Sequence, residues 1–193
     1  MELEPSTAYE VSGRGTYYTD AAGRVTHVVT DYGPSRTPNP DLNHPAPNTT
    51  YVVNDKHVFV TDAKSRTVEV HAPHVERAEA PRSGSIQQSV GRSAGHGYDG
   101  GHLIQNALGG GRERINIVGM LEELNRSGSL KHRRIADNYY AMEAGLRKSM
   151  DDGKDISLDI HLKYDDGKVP VRIAVQYEID GILDRRVFTN VRQ

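Results

Sequence analysis

Residues 98–125 read YDGGHLIQNALGGGRERINIVGMLEELN, and the interpretation of this stretch decides how the remainder of the chain is understood. In it a short apolar run, His102-Leu103-Ile104, stands between Asp99-Gly100-Gly101 and the glycine triplet Gly109 to Gly111. Glycine adopts backbone angles closed to other residues and lets a ligand approach the main chain, so a lone His between two such clusters is expected at an exposed strand end or loop. A single His near glycines is more often an ordinary surface or core residue than a functional one. The following segment is what raises it. Ile117, Met120, Leu121 and Leu124 fall at i, i+3, i+4 and i+7, which predicts one apolar helical stripe. Asn116 stands before it as an N-cap, and Asn125 closes it on the side of Leu121, turned toward whatever the helix packs on.

A strand bearing a His, a glycine loop and a helix bearing an inward Asn make the frame of a ββα-metal site. The segments DGGHLI, GGG, INIVGMLEELNRSG and YYAME together resemble the DNA/RNA non-specific endonucleases of the His-Me finger (ββα-metal) class, in the branch found at the C-termini of bacterial secreted toxins. The resemblance runs from about residue 51 to the C-terminus and is strongest between residues 97 and 150. It implies an α+β fold in which a ββα-metal core joins an antiparallel β-sheet and two helices. By position, it implies that His102 is the general base, that Asn125 is a magnesium-ligand Asn, that Asn116 is the Asn opening the metal helix, and that Glu143 orders the metal's water shell. Manganese is the substitute cation the resemblance allows. It further implies DNA or RNA as substrate, a cognate immunity protein as partner, and secretion or delivery into a target cell as part of a larger toxin. Two features depart from the pattern. Many members carry Arg where this chain has Gly101, and the step from Asn125 to Glu143 is longer than the usual two turns.

The chemistry asks independently for these residue types. Phosphodiester hydrolysis needs a deprotonated water, neutralised phosphoryl oxygens and a stabilised leaving oxygen. A His titrating near neutrality suits the first task. Magnesium suits the other two and keeps most of its waters, so one amide and one carboxylate suffice to hold it. Zinc is disfavoured, because the chain has no Cys and no His pair at ligand spacing.

Composition sets the bounds. A chain of 193 residues that is 36% hydrophobic can bury one core with a small appendage, and no segment reads as a membrane span or signal peptide. Without Cys, disulfides and thiol catalysis drop out. The net charge of −2 suits a nucleic-acid binder poorly, but residues 81–148 hold ten Lys/Arg against six Asp/Glu, a local +4. Such an asymmetry is either a basic face for phosphates or a by-product of packing. The cations expected to meet nucleic acid are Arg92, Arg126, Lys131, Arg133 and Arg134, with Arg82 beside Arg92 as a replacement for the Arg missing at position 101. For the cluster around Lys131, a merely solvated face is the alternative. His96, between Gly95 and Gly97, competes with His102 for the role of base.

Outside the central stretch the chain divides into three. A shift of 42 residues lays YEVSGRGTYYTDAAGRVTHV, from Tyr9, over YVVNDKHVFVTDAKSRTVEV, from Tyr51, without a gap. Each copy alternates β-formers around a TDAxxR turn and reads as a hairpin, the two being either separate units or parts of one sheet. Five prolines between Pro34 and Pro47 predict an extended, helix-free linker, in which His44 is incidental. The expected division is an accessory hairpin over 1–33, a linker over 34–48 and an endonuclease domain over 49–193. Within the last, a second helix is predicted from Asp137 or Asn138 to Met150, with Tyr139, Met142, Leu146 and Met150 inward, Glu143 at the stripe's border and Gly153 as its stop. After it, clean alternation from Ile156 to Val191 predicts an antiparallel meander with His161 on its outer face. The rival to an enzyme is a nuclease-like binding module that keeps the frame without the activity.

Overall fold

The TDAxxR turns fold the two repeats into matching antiparallel meanders in the computed structural model, which describes residues 2–34, 36–78, 83–127 and 138–192. The first meander holds β1 (Ala8–Val11), β2 (Gly15–Thr19) and β3 (Val25–Thr30); a one-turn helix, α1 (Pro40–Asn43), separates it from β4 (Thr50–Val53), β5 (His57–Thr61) and β6 (Thr67–Ala72). Every strand boundary recurs at the offset of the sequence repeat, Ala8 becoming Thr50 and Thr30 becoming Ala72.

The repeated residues are those that make the turn. Asp20 Oδ1 accepts hydrogen bonds from the N–H groups of Ala22 (2.8 Å) and Arg24 (3.0 Å), and Asp62 Oδ1 accepts the same pair from Lys64 (2.8 Å) and Arg66 (3.0 Å). Each carboxylate also takes a guanidinium N–H from its Arg, at 2.9 Å and 2.7 Å. Bonds from Arg24 hold the Asp20 carboxyl below its usual range; at Asp62 burial pushes upward and the bonds from Arg66 outweigh it.

β3 pairs in parallel with β4, so one sheet runs unbroken through both copies. The stretch between them is not wholly extended. Asn39 caps α1 by accepting from Asp41 N, and Pro40 occupies the first helical position, where its missing N–H costs nothing, so the helix-free expectation is corrected by one turn.

After β6 the chain leaves the sheet. It forms α2 (Gly84–Ala94), β7 (Tyr98–His102), a 3-10 turn (Arg114–Asn116), β8 (Ile117–Leu121), α3 (Glu122–Asn125) and α4 (Tyr139–Asp151). It then returns as β9 (Ile156–Tyr164), β10 (Pro170–Ile179) and β11 (Ile182–Thr189), the expected meander, with β9 pairing antiparallel with β6 to complete a nine-stranded sheet. Asp180 and Gly181 both take positive φ in the last turn, and His161 faces outward. Buried side chains of the sheet, among them Phe59, Val70, Ile160 and Ile173, share one core with Leu103, Ile104, Tyr139 and Leu146 of the excursion. No helix among the described residues is long and apolar enough to cross a membrane.

Two helical expectations need correction. Residues 117–121 are strand, not helix; all five are buried, and a strand covered on both faces is a continuous apolar run whose Ile, Met and Leu positions imitate a helical stripe. The helical turn begins only at Glu122 and lasts four residues. Conversely, α2 lies in a stretch that reads as polar and Gly-rich. The second expected helix is present, capped by Asn138, whose side chain accepts from Ala141 N, and followed by Gly153 at φ 80°.

One buried side chain carries a consequence for stability in acid. His57 packs beside Tyr32, whose hydroxyl lies 2.8 Å from Nδ1, and burial together with Lys56 depresses the imidazole's pKa from 6.5 to about 4, Glu76 acting in the opposite sense. Above pH 6.5 the group is neutral whether the chain is folded or not, so it contributes no pH dependence. As pH falls toward 4, the unfolded chain takes up a proton that the folded chain refuses, and stability should drop by up to about 3 kcal/mol. Urea midpoints at near-neutral and mildly acidic pH should show this loss in the wild type and less of it in His57→Gln. Equal losses in both would assign it to other groups.

Candidate active site

β7 and β8 pair antiparallel, with His102 opposite Ile117 and Asp99 opposite Met120. His102 therefore ends a strand, half-buried, where the chain turns into Leu103 and Ile104. α2 lies against this hairpin, and two glycines permit the contact. A Cβ on Gly100 would lie 2.3 Å from Gln87 O, and one on Gly91 would lie 3.0 Å from Gly100 N. That close approach places Gln87 over the strand: its Nε2 donates to Gly100 O at 3.2 Å and lies 3.4 Å from His102 Nδ1. Gln87, Arg92, Asp99 and Asn125 line one open cleft of about 460 Å³.

Asn125 ends α3 at the edge of this cleft. Its Nδ2 donates to Asp99 Oδ2 at 3.2 Å, which fixes the amide and leaves Oδ1 on the side of β7, where a Cβ on Gly101 would lie 3.0 Å from it. The same Cβ would lie 2.8 Å from Met120 Cβ. A side chain at position 101 would thus crowd Met120 and the Asn125 amide. Arg126 grips Asp99 with two bonds of 2.7 Å and also pairs with Glu122. Burial pushes the Asp99 carboxyl up, but the bonds from Arg126 and Asn125 and the Arg126 charge hold it below the usual range.

α4 is aligned on the site from two directions. Asn138 Nδ2 donates to Glu123 O (2.9 Å) and Arg126 O (3.0 Å), so one amide closes the end of α3 while its oxygen caps the start of α4. Tyr139 donates its hydroxyl to Leu103 O at 2.6 Å, and Arg147 bonds Gln105. Glu143 lies one turn after Tyr139 and one before Arg147, on the face turned to the chain just after His102, and is itself buried.

Asn116 does not open a helix. It is wholly buried at the end of the 3-10 turn, where Oδ1 accepts from Ile104 N (2.9 Å) and Nδ2 donates to Ile104 O (2.9 Å) and Gly111 O (2.8 Å). Its geometry is that of a clamp pinning the glycine loop to β8. A second clamp was not anticipated from the sequence: Asn190 Oδ1 accepts from Leu121 N, and its Nδ2 donates to Gly119 O and Pro170 O, tying β8 to β10. The glycine loop is also held from outside, as Glu113 accepts from the N–H groups of Gly33 and Asn39 and Asn43 accepts from Arg114 N.

Of the cations expected to meet nucleic acid, Arg92 is exposed on the cleft, Arg126 is engaged with Asp99, and Lys131, Arg133 and Arg134 lie outside the described residues, as does Arg82. Much of the local positive charge serves the fold: Arg112 is buried against Pro34 O, and Arg114 donates to Ser89. His96 is exposed in a turn flanked by Gly95 and Gly97, both at positive φ. Among the described residues no three His, Cys, Asp or Glu side chains converge as metal ligands.

Residues 47–181 match the model of the DNA/RNA non-specific endonuclease family. Two type VII secretion system EssD proteins of Staphylococcus aureus, from strains USA300 and NCTC 8325, are each 28% identical over 137 residues, covering 69% of this chain and 22% of theirs. The chain thus spans about a fifth of the length of these relatives. Its fold is similar to that of NucA from Streptococcus agalactiae, both in the structure with magnesium ion bound (TM-score 0.55, 18% identity, 70% of each chain) and in that with no metal bound (TM-score 0.53, 18% identity, 70% of this chain and 71% of that). The shared architecture is mixed α+β, with a sheet rich in antiparallel pairs and few helices.

Proposed function

Because the chain belongs to the DNA/RNA non-specific endonuclease family, we propose that it hydrolyses phosphodiester bonds of DNA, and of RNA, at the cleft beside β7, with magnesium as its cation and manganese as a substitute. The observation that carries this reading is the placement on one strand of His102, at the end of β7, and of Asp99, which takes the nitrogen of the Asn125 amide and leaves its oxygen beside Gly101. A single oriented oxygen fits a cation that keeps most of its own waters, and it fits a zinc cage poorly. When bound, magnesium neutralises charge on the phosphoryl group and its leaving oxygen.

The chain's residues do the rest. His102 takes the proton of the attacking water. Asn125 would hold the cation, and Glu143, on the face turned to the chain that follows His102, would order its waters. Asn116 keeps the glycine loop in place behind them, while Arg92 and Arg126 meet the phosphates at the rim, together with Lys131, Arg133 and Arg134. Asn138 supports the placement of Glu143 in spite of the long step from Asn125, since it bonds both helices directly. We read residues 49–193 as the endonuclease domain and residues 1–33 as an accessory unit joined to it by the pairing of β3 with β4. The likeness to secretion-system proteins several times longer supports an effector domain of a secreted antibacterial toxin, countered by an immunity protein.

The test is plasmid cleavage with magnesium, abolished by a chelator. Asn125→Ala should raise the magnesium concentration for half-maximal activity by at least about tenfold, the scale on which a ligand's loss is felt. DNA affinity measured without metal should change little, since the amide faces the ion. An unchanged magnesium curve would remove Asn125 from the metal site. No cleavage by the wild type with any divalent cation would leave a binding module in place of the enzyme.

A further inference from the structure

Gln87 has no part in the roles assigned above, yet its side chain reaches the His102 imidazole from α2, which rests on β7. Three observations fix what it can do there. Its Nε2 bonds Gly100 O at 3.2 Å, and a carbonyl accepts only from the NH2 end of the amide, so that end is also the one 3.4 Å from His102 Nδ1. The helix cannot drift away from this position without cost: Ser83 caps it through Ile86 N, and Gly91 and Gly100 let its backbone rest directly on β7. His102 Nε2 is buried, which leaves Nδ1 as the nitrogen turned toward Gln87.

We propose that Gln87 is a positioning residue, whose amide sets the tautomer and the ring orientation of His102. An N–H aimed at Nδ1 is compatible with a proton-free Nδ1 and repels a protonated one, so the neutral imidazole carries its proton on Nε2 and keeps its Nδ1 lone pair toward Gln87. At 3.4 Å the contact is long for a hydrogen bond, so a water molecule drawn in with substrate can take its place without a large loss. The proton then moves from that water to Nδ1 while Gln87 stays bonded to Gly100 O, which keeps the amide from following the ring. The inference rests on the endonuclease reading for its catalytic meaning, but the tautomer itself is observable without turnover.

The experiment is nitrogen-15 NMR of the His102 ring in the wild type, Gln87→Glu and Gln87→Leu, at a pH where the imidazole is neutral, with kcat and KM on plasmid DNA measured beside it. The wild type should show a proton-free Nδ1 and a protonated Nε2. Gln87→Glu, of the same shape but only an acceptor, should draw the proton onto Nδ1, and Gln87→Leu should give a mixture. In both variants kcat should fall about tenfold, as for other outer partners of functional histidines, with KM nearly unchanged. A wild-type ring protonated on Nδ1, variants that keep the wild-type tautomer, or a changed tautomer with an unchanged kcat would each overturn the proposal. If the NMR result holds but neither wild type nor His102→Ala cleaves DNA, it is the endonuclease reading that fails.

Discussion

His102→Ala is expected to fold and to lose phosphodiester cleavage by roughly 10²–10⁴-fold, the usual contribution of a general base. In barrier terms that is about 3–5 kcal/mol at the chemical step. The cost in stability should be far smaller. The imidazole is half-buried at the end of β7 and the strand's pairing with β8 is carried by backbone groups, so truncation opens no cavity comparable to the loss of a core Leu. Substrate affinity should persist, because the residues proposed to meet phosphate and metal are separate side chains. The measurement is a cleavage time course with a thermal midpoint on the same sample. Near-wild-type cleavage by His102→Ala, combined with its loss in His96→Ala, would move the base by six residues into the exposed turn.

Asn116→Ala should act in the opposite way, through the fold. The amide makes three bonds to backbone groups of the glycine loop from a wholly buried position. Removing it strands Ile104 N, Ile104 O and Gly111 O away from water, and buried backbone groups left unmade cost about 1–3 kcal/mol each. Allowing for some relaxation, the expected loss is about 4 kcal/mol, a large share of the 5–15 kcal/mol typical of a whole domain. Asn116→Asp should do no better, since it sets a carboxylate oxygen against two carbonyls. Urea unfolding decides the matter: a loss below about 1 kcal/mol in Asn116→Ala would mean that the loop is held by its other anchors, Glu113 and Asn43.

How much of this was legible in the sequence depends on what each residue's pattern encodes. The TDAxxR repeats, the C-terminal alternation and α4 could be read because local periodicity and capping chemistry coincide there. The place of His102 at a strand end could be read because glycines flank it. The run from Ile117 to Leu121 misled because burial on both faces erases the two-residue period that marks a strand. α2 was overlooked because Gly84, Gly91 and four serines from Ser83 to Ser93 weigh toward loop, although Ile86, Val90 and Ala94 fall on one face between a Ser cap and Gly95. With α2 went Gln87. Asn190 gave no signal at all, for a clamp between a distant strand and β8 has no local pattern. At the two departures from the family's motif, a side chain at position 101 would crowd Met120 and Asn125, and Asn138 bonds the end of α3 and the start of α4.

The chain leaves the sheet after β6 and rejoins it at β9, the neighbouring strand, where Ala72 lies opposite Leu158 and Val75 N donates to Ile156 O at 2.8 Å. Entry and exit are therefore adjacent, and the whole segment proposed to be catalytic is topologically an insertion into a scaffold whose register does not depend on its length. Closing a longer loop between two pinned ends costs only about 0.6 kcal/mol for each doubling. A lineage can thus lengthen, shorten or recolour this surface while the strands beneath keep every partner, which makes this seam the natural place for one member to diverge from another.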